Sequence, residues 1–231
     1  MLNKIKKKVR TMLGIGNETD FYGQGGEDAI ASNTFTNVLP VRNGFYVDIG
    51  AYHPFRHSNT HILFKAGWSG MNIDPRPGSK QLFDRHRKGD INIEAGIGGE
   101  NGRMTYYYIG ENSTMNSFSR DNLEKLGLME EVKKTIEVPV YTMKSLLSHY
   151  PSIKKIDYLN IDAEGFEMEV LSGIDFENNG PTVISIEQNN IFSLADVMQT
   201  SVAQFLANKG YLPFAKNILL KQVSTVFYMR K

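Results

Sequence analysis

Residues 45–64 read FYVDIGAYHPFRHSNTHILF. The near-continuous apolar start, GFYVDIG, is that of a strand covered on both faces, and it ends on Asp48, Ile49 and Gly50 at a turn. A dinucleotide loop would continue with further glycines to cradle a pyrophosphate. This loop instead carries Tyr52, His53, Pro54, Phe55, Arg56 and His57, and then Ser58, Asn59 and Thr60 open a helix closed by Gly67. The pattern is strand, tight turn, helix, with a turn chemistry unsuited to phosphate.

The same alternation continues along the chain. WSGMNID, DINIEAGIG, KIDYLNIDAEG and PTVISIE read as further core strands, so five strands are expected in one sheet. Helices are predicted from about Glu27, between Pro77 and Gly89, over MKSLLSHY, over FEMEVLSGI and over SVAQFLANKG. GRMTYYYIG and KTIEVPVYT bracket a polar loop, ENSTMNSFSRDN, and a helix near LEKLGLMEEVKK; this segment interrupts the alternation. YLPFA and QVSTVFYMR predict a terminal antiparallel hairpin. The fold class is therefore α/β: a single Rossmann-like domain over residues 20–231, with a mostly parallel, doubly wound sheet and a C-terminal antiparallel hairpin.

The chain has 231 residues, 41% hydrophobic and 22% charged, with a formal net charge of +1 and no cysteine. Lack of cysteine removes disulfides, thiolate metal sites and a cysteine nucleophile. Near-zero net charge argues against a nucleic-acid partner, whose footprint is a basic excess. No run has the length of a membrane-spanning helix and no signal-peptide core follows the first residues, so a cytoplasmic protein is expected. The arm over residues 1–19 is different. Lys4, Lys6, Lys7, Lys8 and Arg10 alternate with Leu2, Ile5, Val9, Met12 and Leu13 near helical spacing. Such a helix either packs as a solvated leader or makes weak contact with an anionic membrane surface.

Ligands of a doubly wound sheet sit beyond the carboxyl ends of its strands. There this sequence puts Asp48 and Gly50, then Asp74, then Glu94, Ala95 and Gly96, then Asp162 and Glu164, then Glu187. One such acid is commonly a helix cap; a series of them describes the rim of a pocket. An acid beside a single glycine suits an ammonium or sulfonium group, and Asp74 can accept both hydroxyls of a ribose. Adenosine joined to a cationic amino acid, without phosphate, is S-adenosyl-L-methionine (SAM).

The ordered set FYVDIGAYHPFRHSNT, GWSGMNIDPRPGS, YLNIDAEGFEMEVLSGIDF and VISIE, with YGQGGEDAI upstream, resembles the FkbM family of SAM-dependent methyltransferases. The resemblance implies a class I methyltransferase domain. It implies that Asp48 and Gly50 surround the methionine end of SAM, that Asp74 takes the ribose, and that Glu94, Ala95 and Gly96 lie near the adenine. Ser58, Asn59 and Thr60 either cap their helix or reach the cofactor, and Gln24 and Asp28 belong to an element folded over the pocket mouth. Such enzymes are associated with O-methylation, often of sugar hydroxyls, so the expected acceptor is a glycan or small molecule. Asp162, Glu164 and His53 are the candidates for a general base. Asp162, Glu164 and Glu187 are also hard oxygen ligands suited to Mg²⁺, which leaves metal dependence open.

Two rivals remain. A NAD-dependent sugar dehydrogenase or epimerase shares the sheet and the ribose acid, but it requires the glycine fingerprint missing after Gly50. A non-catalytic scaffold would use the basic arm and have no need of the acids at five strand ends.

Overall fold

In the computed structural model, which describes residues 20–219 and 223–231, the opening stretch becomes β1 (Phe45–Ile49). The basic arm lies outside the described residues. β2 (Ser69–Ile73) and β3 (Ile91–Ile93) follow in parallel on one side of β1. The chain then leaves the main sheet for β4 (Gly96–Ile97), β5 (Gly102–Tyr108) and β6 (Lys134–Tyr141). It returns on the other side of β1 with β7 (Tyr158–Ile161) and β8 (Val183–Asn189), and ends in β9 (Tyr211–Lys216) and β10 (Val223–Arg230). The main sheet has the order β3-β2-β1-β7-β8-β10-β9, in which β10 runs antiparallel to both neighbours. Strand order reverses between β1 and β7, which fixes the switch point where a ligand site is expected. Pro213, which has no N–H to donate, sits on the edge strand β9, where a missing ladder bond is tolerated.

Helices cover both faces, as the apolar strands required. On one face Val47, Ile49, Leu159, Ile161, Ile184 and Ile186 pack on α6 (Glu167–Ser172) and α9 (Ser201–Ala207) through Val170, Leu171 and Leu206. On the other, Tyr46, Tyr158, Val183 and Phe227 pack on α1 (Glu27–Asn33), on α2 (His61–Lys65) and on Phe35 and Trp68. Tyr46 and Val47 thus lie on opposite faces, as strand alternation demands. Each face buries its own cluster, and the sheet is the divider.

Two expectations need correction. The predicted third strand over residues 90–98 is two strands: β3 belongs to the main sheet, while β4 pairs with β6 in a separate three-stranded sheet. The break falls where Gly96 lets the chain turn under Phe118, whose ring lies 2.6 Å from the position a Cβ would occupy. The predicted helix after the polar loop is short, α4 (Arg120–Lys125), and gives way to a single 3₁₀ turn at Met129–Glu131. Beyond these, α3 (Ser79–His86) and α5 (Met143–Ser148) lie within their predicted spans. The short α7 (Phe176–Asn179) and α8 (Leu194–Gln199) had no counterpart in the sequence reading. The interrupting segment is thus a small sheet standing beside the strand ends, with β5 and β6 paired from Gly102↔Val140 to Tyr108↔Lys134.

Candidate active site

A cavity opens at the switch point, over the carboxyl ends of β1, β2 and β7. Its floor is the turn at Gly50. That residue has φ +75, and an added Cβ would stand 1.7 Å from the Asp162 carbonyl oxygen. Only glycine lets β1 and β7 end this close together. The lining includes apolar residues, Ile73, Ala95, Ile97, Phe118 and Phe166, and polar ones, Ser113, Thr114, Asn116 and Ser117.

Asp74 closes one end. Its Oδ2 accepts from the Tyr52 N–H at 2.8 Å and its Oδ1 from the Arg76 N–H at 2.8 Å. Burial raises its pKa above the usual carboxylate range, and the neighbouring Arg76 charge opposes that shift. A carboxylate has about four lone-pair sites, so Asp74 keeps acceptor capacity for a diol. Arg76 is 4% exposed. Its guanidinium donates to the carbonyls of Glu111 and Tyr52 and lies over the Tyr52 ring. Tyr52 in turn donates its hydroxyl to Asn112 O at 3.1 Å. Two residues thereby fasten the first loop to the hydroxyl-rich loop across the cavity.

That second loop is itself built around Asn116. Its Oδ1 accepts from the N–H groups of Ile109 and Gly110, and its Nδ2 donates to the carbonyls of Gly110 and Ser113. All four capacities of one buried amide are used, which fixes the loop as a wall.

Below the first loop lies a polar network within the sheet. Asp48 is buried and accepts from Thr60 Oγ1 at 2.7 Å and Asn160 Nδ2 at 2.9 Å. Asn160 Oδ1 accepts from Asn59 Nδ2 and from Ser185 Oγ. Burial also pushes the Asp48 pKa up, against these donors. Arg87, wholly buried, reaches back from the end of α3. It donates to Pro54 O, Tyr46 Oη, Ser58 Oγ and Thr60 Oγ1 and pairs with Asp90 at 3.7 Å. The loop that looked irregular in sequence is thus tied down from beneath by one guanidinium.

The lining also includes two acids, Asp162 and Glu164. Asp162, Glu164 and Glu187 each offer a carboxylate oxygen, all within 4.8 Å of one another. Burial first, and then mutual repulsion, holds Asp162 and Glu164 well above the usual carboxylate range and Glu187 at about 8. Glu164 takes a left-handed conformation, φ +50, and its carbonyl accepts from Ser117 Oγ and Asn122 Nδ2.

Of the residues picked from sequence, Gln24, Gly50, Asp74, Ala95, Gly96, Asp162 and Glu164 line the one cavity. Asp48, Ser58, Asn59 and Thr60 lie behind its floor. Ser58 Oγ accepts from the His61 N–H at 3.2 Å, which is the capping alternative; Asn59 and Thr60 serve the buried network instead. Glu94 accepts from the Gly78 N–H and steadies the turn before α3. Asp28 accepts from the Tyr22 N–H, and Tyr22 O accepts from Ser58 N, so the upstream element does rest on the first loop. His53 lies outside the cavity lining; its Nδ1 accepts from the N–H groups of Phe55 and Arg56, and burial lowers its pKa to about 4. Arg76, Arg87, Asn116 and Asn160 were not singled out from sequence. Arg76 adjoins Asp74 in the motif and was within reach; nothing in RHRKG marks Arg87 as buried.

An apolar slot, a diol acceptor at Asp74 and an acidic pole fit a nucleoside carrying a cationic amino-acid tail. Five parallel strands joined by helices, with an antiparallel β10 inserted before β9, define the class I SAM-dependent methyltransferase fold, whose methyl donor is SAM. The sequence places the chain more narrowly. The family described as "Methyltransferase FkbM domain" matches residues 48–213, and the chain belongs to that family. A curated relative, "Methyltransferase 1" of Beauveria bassiana (strain ARSEF 2860), is 28% identical over 165 residues. The match covers 64% of this chain and 59% of the relative's length. Among solved structures, a TehB-like SAM-dependent methyltransferase from Corynebacterium glutamicum is similar at TM-score 0.44 and 12% identity, over 99% of this chain and 97% of that one. Burkholderia thailandensis 1,6-didemethyltoxoflavin-N1-methyltransferase, solved with S-adenosylhomocysteine, gives TM-score 0.44 and 9% identity, over 90% and 79%. These likenesses are loose, and the strand order carries the fold assignment.

Proposed function

We propose that the protein transfers the methyl group of SAM to a hydroxyl of a sugar, in a polysaccharide, a glycolipid or a nucleotide-sugar. The observation that supports this reading is that one cavity is lined both by the carboxylates Asp162 and Glu164 and by the polar residues Ser113, Thr114, Asn116 and Ser117. An alcohol is a poor nucleophile until its proton leaves, and a carboxylate placed beside it is a suitable acceptor for that proton. SAM supplies the electrophilic methyl, and its sulfur keeps the electron pair of the broken S–C bond. Asp74 holds the ribose, Ile73, Ala95 and Ile97 receive the adenine, and either Asp162 or Glu164 accepts the one hydroxyl proton as the C–O bond forms. Alignment of oxygen, methyl and sulfur supplies much of the acceleration. That role falls to the Arg76–Tyr52 fastening and to the Asn116 wall.

Methyl-labelled SAM incubated with a panel of glycans and nucleotide-sugars tests the reading, with calorimetry of SAM and NAD alongside. The expected result is SAM binding, no NAD binding and label on carbohydrate oxygen. Binding of NAD instead of SAM refutes the donor, and label only on amines, carboxyls or protein refutes the acceptor.

A further inference from the structure

We propose that Asp162, Glu164 and Glu187 form a site for a hard divalent cation of the Mg²⁺ or Mn²⁺ class. The three residues approach from positions that the fold holds still. Asp162 follows β7 and Glu187 belongs to β8, adjacent parallel strands with Ile161 opposite Ile186. Glu164 stands two residues beyond Asp162, its carbonyl fixed by Ser117 and Asn122. One oxygen of each lies within 4.8 Å of the others. Oxygen ligands at about 2.1 Å from an Mg²⁺ ion lie roughly 3–4 Å apart, so small torsions of the two glutamates complete the set.

Two further observations point to a cation. The Asp162 Oδ1 atom is sealed from solvent and accepts no hydrogen bond. A buried carboxylate oxygen without a donor is costly unless something positive sits beside it. Among the described residues, no lysine, arginine or histidine forms an ion pair with any of the three. Glu167 and Glu27 add negative charge at the same point. Asp74, the aspartate at the end of β2, has Arg76 beside it at 3.8 Å; the acidic pole lacks that provision.

Asp162 and Glu164 line the cavity, so a cation held by the three carboxylates borders it. A hard cation there takes two adjacent oxygens of a diol and lowers the pKa of the one that reacts, so that its proton leaves to solvent and Asp162 and Glu164 serve as ligands in place of accepting it. This last step rests on the proposed sugar methylation; the cation site does not.

The test is Mn²⁺ binding by electron paramagnetic resonance, on full-length protein stripped with EDTA and without SAM or acceptor. One saturable Mn²⁺ per chain is expected, displaced by excess Mg²⁺. In Glu187→Gln and in Asp162→Asn the affinity should fall tenfold or more, while the exposed Glu169→Gln stays at the wild-type value. Circular dichroism and a cooperative thermal melt on each variant confirm that it is folded. Absence of saturable Mn²⁺ in the wild type, or affinities within twofold of it in both folded variants, overturns the proposal and leaves the methyl-transfer reading untouched. Mn²⁺ binding with no transfer to any glycan would support the cation site and refute the acceptor.

Discussion

Replacing Gly50 by alanine tests the closest approach in the site. The new Cβ would lie 1.7 Å from the Asp162 carbonyl oxygen, and ordinary Cβ contacts begin at 3.0–3.4 Å, so turn and strand end must part by about 1.3–1.7 Å. The obstacle is backbone on both sides and has no flexible end to swing away. The left-handed φ of +75 adds strain for an L-residue of roughly 1–2 kcal/mol. Forced overpacking adds about 1–3 kcal/mol. The expected loss is therefore roughly 2–5 kcal/mol, or about 4–20 °C in Tm for a chain of this size. Displacement of order 1 Å at a reacting centre lowers rate by about 10²-fold, so methyl transfer should suffer beyond the stability loss. Two glycines separate the contributions. Gly89 has φ +97 with nothing within 4 Å of its Cβ position, and Gly102 has open space with no positive φ. Gly89→Ala should lose only the conformational part, and Gly102→Ala should stay within about 0.5 kcal/mol. Thermal melts and SAM calorimetry on the three variants read the series. If Gly50→Ala melts with Gly89→Ala and binds SAM as the wild type does, the reasoning from the β1–β7 contact is wrong.

Other expected outcomes follow the same geometry. Arg87→Met leaves Asp90 and the Pro54 carbonyl without their buried partner, and should cost about 3–5 kcal/mol by chemical denaturation; a loss under 1 kcal/mol would show the loop is held by other means. Asp74→Asn keeps the shape but removes the charge, and should weaken SAM binding about 10–100-fold by calorimetry; unchanged affinity would remove Asp74 from the cofactor. Asn116→Ala should raise the acceptor KM far more than it weakens SAM binding, because its four hydrogen bonds serve the opposite wall. His53, held at about 4 by burial and then by Arg56, Arg76, His86 and His57, titrates near 6.5 when unfolded. The unfolded chain then binds the extra proton between those values, so stability falls as pH drops from 6.5 toward 4. His61 is lowered likewise, so the diagnostic is a shallower slope of Tm against pH in His53→Asn than in wild type.

The sheet was legible because its strands are short apolar runs ending in acids and glycine, a local pattern that survives any tertiary context. The switch point followed from it, and with it the placement of Gly50, Asp74 and Asp162 at one cavity. Side-chain direction at the floor was less legible. Asp48 and Ile49 are neighbours in sequence, yet strand alternation turns the carboxylate into the buried network and leaves Ile49 on the cavity. The split of the third strand depended on a contact 22 residues away, between Gly96 and Phe118, which no local pattern announces. Arg87 was unreadable for the same reason: a basic residue near a helix end looks solvated until distant carbonyls and hydroxyls are placed around it. His53 illustrates the converse. Its neighbourhood in HPFRH suggested chemistry, while its ring nitrogen is consumed by the two N–H groups of the turn it makes.

The small sheet leaves the main one at Gly96 and hands the chain back at Thr142, close to where it departed: Gly96 pairs with Val140, and the Thr142 N–H is met by Asn101. Residues 102–139 therefore hang from the body on two stems already zipped together, and they carry the Glu111 and Asn112 carbonyls that hold Arg76 and Tyr52. Exchange of this hairpin should therefore alter the Asp74 end of the pocket together with the hydroxyl-rich loop, because Arg76 and Tyr52 lose the carbonyls that hold them.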